Sequence, residues 1–171
     1  MSPRRPRRKG GSLKDGERRQ MARASRRAVV TPPAATGAGG RVRVLCDGGS
    51  RGNPGPAAVA AVLLGPDGSE QGRLAEEIGR ATAAEAEYRA ILLGLGLALA
   101  HAVDPVEVCS DSQLAIAAIE GSAPEDPALA ALVEDIQMMA ATFSSVRWRW
   151  HPRAENEVAD ELVRDLLWPA G

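Results

Sequence analysis

The sequence predicts an α/β domain: a mixed five-stranded sheet flanked by helices. Two observations carry this. Three strand-like segments follow one another between residues 41 and 79, separated only by turn signals, as in a meander. From residue 82 onward helical and strand-like segments alternate, which requires crossovers that return the chain to the same sheet.

The elements follow in order. Arg41–Cys46 alternates polar and apolar residues and reads as the first strand. Asn53-Pro54-Gly55-Pro56 is a turn, and Ala57–Leu64 is a largely apolar second strand. Gly65-Pro66-Asp67-Gly68 is a second turn, and Ser69–Gly79, with Gln71, Arg73, Glu76 and Glu77, suits an edge strand. Thr82 is an N-cap for a helix running to about His101, with Ile91, Leu92, Leu95 and Leu99 as its core-facing set. Asp104-Pro105 breaks it. Val106–Ser110 is the fourth strand, Ser112–Glu120 a short helix stopped at Gly121, and Pro124-Glu125-Asp126-Pro127 opens another helix to about Ala141. Ser145–Trp150 is the fifth strand, with Val146, Trp148 and Trp150 on one face and Arg147 and Arg149 on the other. Asn156–Leu167 is the closing helix.

Charge divides the 171 residues into two parts. Residues 1–40 hold 11 Lys/Arg against 2 Asp/Glu, a balance of +9, and contain no Phe, Trp or Tyr. Residues 41–171 hold 10 basic and 20 acidic residues, a balance of −10. The first part is too poor in apolar surface to offset the entropy of ordering, so residues 1–40 are expected to be a disordered basic arm that binds nucleic-acid backbone. A solubilising tail is the alternative, and Met21 is an alternative start. Residues 41–171 form the globular domain. The arm lacks the apolar stretch of a secretory signal, and Ala90–Ala100 is too short to span a membrane. A cytoplasmic address is the default expectation. Cys46 and Cys109 lie near strand ends; side-chain alternation turns Cys46 away from Asp47 and puts Cys109 on the side of Asp111, so packed, reduced thiols are expected. With no exposed apolar stripe evident, a monomer is expected.

Four acidic residues stand out. Asp47 ends the first apolar run at a Gly-Gly turn, Glu87 lies early in the long helix, Asp111 follows the fourth strand, and Asp160 lies on the last helix. Gathered carboxylates repel one another and call for a cation. Oxygen ligands without His or Cys favour Mg2+ or Mn2+. Two such ions about 3.5–4 Å apart suit phosphodiester cleavage, holding the attacking and leaving oxygens. Three of the four have a plainer reading: Asp47 as a turn aspartate, Asp111 as a helix N-cap, Asp160 as the i,i+4 partner of Arg164. Glu85 competes with Glu87, but two residues apart they point about 200° from each other, so one alone faces the sheet.

At these positions the chain resembles a known family. Asp47-Gly48-Gly49-Ser50-Arg51-Gly52-Asn53-Pro54-Gly55-Pro56 resembles the opening motif of type-one ribonuclease H, in a short form without a basic protrusion. Thr82–Ala90, Ser110-Asp111-Ser112-Gln113-Leu114 and Arg153–Leu162 resemble its second, third and fourth motifs, in the family's order. The resemblance covers roughly residues 41–168. It implies a ribonuclease H-like sheet of three antiparallel strands with two parallel additions beside the first. It implies a metal-dependent endonuclease that hydrolyses the RNA strand of RNA–DNA hybrids, leaving 5′-phosphate and 3′-hydroxyl ends. Asp47, Glu87, Asp111 and Asp160 are then the catalytic and metal-binding residues for two Mg2+ ions, with Mn2+ able to substitute. His151 corresponds to a family histidine that assists proton transfer or product release; a solvent-facing loop histidine is the competing reading. Asn53, Thr82, Ser112 and Gln113 match substrate-contacting positions, with Arg153 and Asn156 shaping the site.

Two departures weaken the substrate side. The family's Thr-Asn-Asn is Thr82-Ala83-Ala84, so two amides that would bond the hybrid are absent. Residues 120–142 contain no Lys or Arg, and the acidic domain repels a polyanion, which makes the basic arm the natural tether. The rival functions are a nucleic-acid-binding module of the same fold with weak or no catalysis, and a nuclease acting on double-stranded RNA or a DNA junction.

Overall fold

The computed structural model describes residues 41–170; the basic arm lies outside the described residues. Five strands, β1 (Val42–Ser50), β2 (Gly55–Leu64), β3 (Glu70–Ala81), β4 (Val106–Ser110) and β5 (Val146–Trp150), form one sheet in the order β3-β2-β1-β4-β5. The β1–β2 and β2–β3 pairs are antiparallel, and β1–β4 and β4–β5 are parallel. This is the expected mixed sheet. The helices are α1 (Ala83–Ala100), α2 (Gln113–Ile119), α3 (Pro127–Ala140) and α4 (Glu157–Leu167).

The uniformly apolar β2 is explained by burial on both faces. Ala57, Val59, Ala61 and Leu63 join the main core under α1 and α3. Ala58 and Ala60 meet Val163 and Leu167 of α4 on the opposite face, while Val62 packs with Leu45, Cys109 and Ala159. Cys46 belongs to the first face and Cys109 to the second, both as free thiols. Among the described residues no helix is long and apolar enough to cross a membrane.

Four expectations are corrected. β1 does not end at Cys46 but continues through Gly48 and Gly49 to Ser50, because these residues pair with Val59, Ala58 and Ala57 of β2. Asp47 is therefore a strand residue opposite Ala60, not the start of a turn. β3 runs on to Ala81, which pairs with Gly55. Leu99 is 45% exposed, whereas Ile91, Leu95 and Ala98 are fully buried. Eight residues beyond Ile91 is about 80° further round the helix, so the seventh residue, Ala98, takes the inward place. A 3-10 turn, Arg153–Glu155, on which no expectation was stated, precedes α4.

The acidic cluster at the carboxyl ends of β1 and β4

The geometry begins with a glycine. A Cβ on Gly48 would stand 2.2 Å from the Ala86 carbonyl oxygen and 2.7 Å from the Glu87 nitrogen. Only glycine lets the first turns of α1 lie directly on β1, and that contact sets Glu87 beside Asp47. The same end of the helix is held by a capping box: the Thr82 hydroxyl accepts from Glu85 N at 3.1 Å, and the Glu85 carboxylate accepts from Thr82 N at 2.7 Å. Glu85 is thus a capping residue, and Glu87 is the one that faces the sheet. The Asn53 side-chain carbonyl accepts from Ala83 N at 3.1 Å, joining the β1–β2 loop to the same helix end.

Asp111 arrives from β4. It is not the N-cap of α2; Ser112 is, its hydroxyl accepting from Ala115 N at 3.2 Å. The Asp111 carboxylate is left free to turn inward. Its backbone carbonyl accepts from the Trp150 indole at 3.1 Å, and Ser112 N donates to the buried Ser110 hydroxyl at 3.1 Å.

One carboxylate oxygen from each of Asp47, Glu87 and Asp111 lies within 4.8 Å of the others. Burial, followed by the charges of Asp111 and Asp160, raises the Asp47 carboxyl to about 7. Burial, then Asp47 and Asp111, raises Glu87 to about 9. Arg153 opposes both shifts. The Glu87 Oε2 atom is buried and has no hydrogen-bond partner among the described residues. Three converging carboxylates, two of them costly to ionise, and an orphaned buried oxygen fit a hard divalent cation.

Asp160 stands apart from this trio. It lies in the first turn of α4, pairs with Arg153, and also pairs with Arg164 at 3.2 Å. The i,i+4 pair seen as a rival explanation is present, yet the side chain is only 17% exposed and its charge reaches Asp47.

The remaining predicted residues divide by accessibility. Asn53, Gln113 and Arg153 are exposed, and Thr82 and Ser112 half-buried, with both hydroxyls engaged in capping. Asn156 has no surface to offer a substrate: it is fully buried and donates to the Cys46 carbonyl at 2.9 Å. His151 is not a solvent-facing loop residue. It is 4% exposed, its backbone N–H bonds the Ser110 carbonyl, and burial lowers its pKa, keeping the imidazole neutral. Sequence reasoning missed Trp150 as a support for Asp111 and Glu107 as a buried charge; the latter was visible as a lone carboxylate in an otherwise apolar strand.

The family described as "Reverse transcriptase-like" matches residues 45–166. Ribonuclease HI of Halobacterium salinarum is 39% identical over 141 residues, 82% of this chain and 69% of that protein. A bifunctional protein of Mycobacterium tuberculosis is 39% identical over 131 residues; the match covers 74% of this chain but only 35% of that protein's length. Among solved structures, RNase H1 of Halobacterium salinarum superposes with a TM-score of 0.74 at 39% identity, covering 77% of this chain and 100% of that one. LC11-RNase H1 in complex with an RNA/DNA hybrid superposes with a TM-score of 0.69 at 30% identity, covering 73% and 95%.

Proposed function

The chain belongs to the reverse transcriptase-like family, with a ribonuclease H-like domain, and from this premise we propose that it hydrolyses the RNA strand of RNA–DNA hybrids. The observation that carries the reading is the convergence of Asp47, Glu87 and Asp111 at one end of the sheet. With Asp160 these residues would hold two Mg2+ ions, or Mn2+ in their place. Bound there, the ions would supply Lewis acidity to the scissile phosphate and orient attacking and leaving oxygens.

The protein's own part is to hold the carboxylates and the backbone of the substrate. Gly48 and the capping box fix Glu87; Trp150 and Ser110 brace the segment around Asp111; Arg153 and Arg164 orient Asp160. Gln113, in the first turn of α2, and the side-chain NH2 of Asn53, at the start of α1, are exposed and suit contacts to phosphate and 2′-hydroxyl groups. Residues 1–40 would supply a tether that offsets the acidity of residues 41–171. Action as a monomer in the cytoplasm completes the proposal, the two unpaired cysteines being consistent with a reducing compartment.

The test is cleavage of an end-labelled RNA–DNA hybrid in Mg2+ or Mn2+, against single-stranded RNA, double-stranded RNA and duplex DNA. Hybrid-specific cutting that Asp111→Asn abolishes, with the fold intact, supports the assignment. Full activity in that variant overturns the role of Asp111. Hybrid binding without cutting in either metal favours a binding module, with Ala83 and Ala84 as the first positions to restore.

A further inference from the structure

The sheet face that bears the acidic cluster changes sign along its length. Side chains of one parity on β1, β4 and β5 share this face, and the register aligns them in rungs. At the amino ends the rung is Arg43–Glu107–Arg147. The next is Leu45–Cys109–Arg149, whose apolar pair is covered by Ala159 and Leu162 of α4. Asp47 and Asp111 follow. From Arg43 to Asp47 is four residues, about 13 Å of strand.

The basic end forms a hollow of about 340 Å³ lined by Arg41, Arg43, Pro66, Glu107, Arg147 and Arg149. It gathers four of the ten basic residues of 41–171 around a single carboxylate. That carboxylate is built in: Glu107 is 5% exposed and pairs with Arg149 at 3.3 Å and Arg147 at 3.7 Å. A guanidinium carries five N–H donors, so one buried acceptor orients two arginines while leaving most of their donors for an outside ligand. The Arg147 and Arg149 side chains remain 64% and 51% exposed, respectively. A preorganised set of arginines with excess positive charge, on an otherwise acidic domain, suits phosphate.

We propose that this arginine hollow is a second phosphate-binding site, which grips the sugar–phosphate backbone of the same duplex whose bond lies at the acidic cluster. The separation is well within one duplex turn of about 34 Å, so one molecule can reach both places. The inference rests on the hybrid reading only for the identity of the polyanion.

The test is the salt dependence of binding by the full chain to a hybrid of about 20 base pairs, roughly two helical turns, read by fluorescence anisotropy in EDTA. Each lost phosphate contact lowers the slope of log K against log salt by about 0.9. Arg147→Gln should lower it by about that amount and Arg41→Gln/Arg147→Gln by about twice as much, while Arg147→Lys keeps most of the slope. Both variants leave the Arg149–Glu107 pair to neutralise the buried carboxylate. Arg73→Gln, an equal loss of charge on the far edge strand β3, sets the background and should change the slope little. The proposal is overturned if Arg147→Gln and the double variant alter the slope no more than Arg73→Gln does. Because binding is read without metal, failure of the hydrolysis assignment would leave these slopes unchanged, and the two ideas fail separately.

Discussion

The Asn156 side-chain amide donates to the Cys46 carbonyl at 2.9 Å, across 110 positions of sequence. The residue that opens α4 is thereby fastened to the strand residue next to Asp47, and Asp160 follows one helical turn later, its N–H bonding the Asn156 carbonyl. Asn156→Ala is expected to cost about 1–3 kcal/mol, the range for losing a buried hydrogen bond and leaving a partner unsatisfied. Cleavage should fall further than that loss explains, since the start of α4 is released. Urea denaturation beside an activity assay checks both; unchanged stability would show that the bond holds nothing.

Gly48→Ala should damage the site without touching a carboxylate. Its new methyl would collide with backbone atoms of Ala86 and Glu87, which cannot rotate aside. Overpacking of this kind costs about 1–3 kcal/mol. α1 must lift from β1, taking Glu87 with it, so divalent-metal affinity should drop together with melting temperature. Titration calorimetry and thermal denaturation would show the paired effect.

Metal-free stability should fall as pH rises. Asp47 and Glu87 are raised to about 7 and about 9 in the folded chain, whereas unfolded carboxyls titrate near 4. Between those limits the folded state binds more protons than the unfolded one, so stability decreases with pH. The Asp47 share is lost by about pH 7 and the Glu87 share by about pH 9. Asp67, Glu85 and Asp104 shift the other way, and their contribution is lost only in acid. His151, lowered by burial, acts in the opposite sense below its ordinary value of 6.5. Melting temperatures in EDTA should therefore decline above that value, Asp47→Asn should flatten the lower part of that decline, and Mg2+ should reverse it by binding the ionised forms. A rise in metal-free stability toward alkaline pH would contradict the electrostatics of the cluster.

Trp150→Phe keeps an aromatic ring at the end of β5 but removes the donor to the Asp111 carbonyl. The site is 43% exposed, so water can replace the indole and the stability change should stay near 0.5–1 kcal/mol. If the indole positions Asp111, turnover falls severalfold with little change in KM. Equal turnover in both proteins would limit Trp150 to packing.

Much of the fold was legible in local sequence, for physical reasons that act locally. Apolar periodicity, the Gly65–Gly68 turn, the Thr82 cap and the Asp104-Pro105 break bias a few neighbouring residues at a time, and each element formed close to its expected place. The ordered acidic motifs likewise marked which carboxylates to examine, and Asp47, Glu87 and Asp111 do converge. What local signals could not reach were relations between distant segments. That β1 runs on to Ser50 depends on its partner in β2. That Asn156 and His151 are buried and Leu99 exposed depends on how α4 and α1 dock. The pairing of Arg43, Glu107 and Arg147 in one rung exists only once three strands, far apart in the chain, adopt a common register. Residue type and spacing determine the elements and the candidate acids; burial, register and long-range hydrogen bonds arise only when the sheet closes, because each is a property of surfaces that meet and not of the chain that carries them.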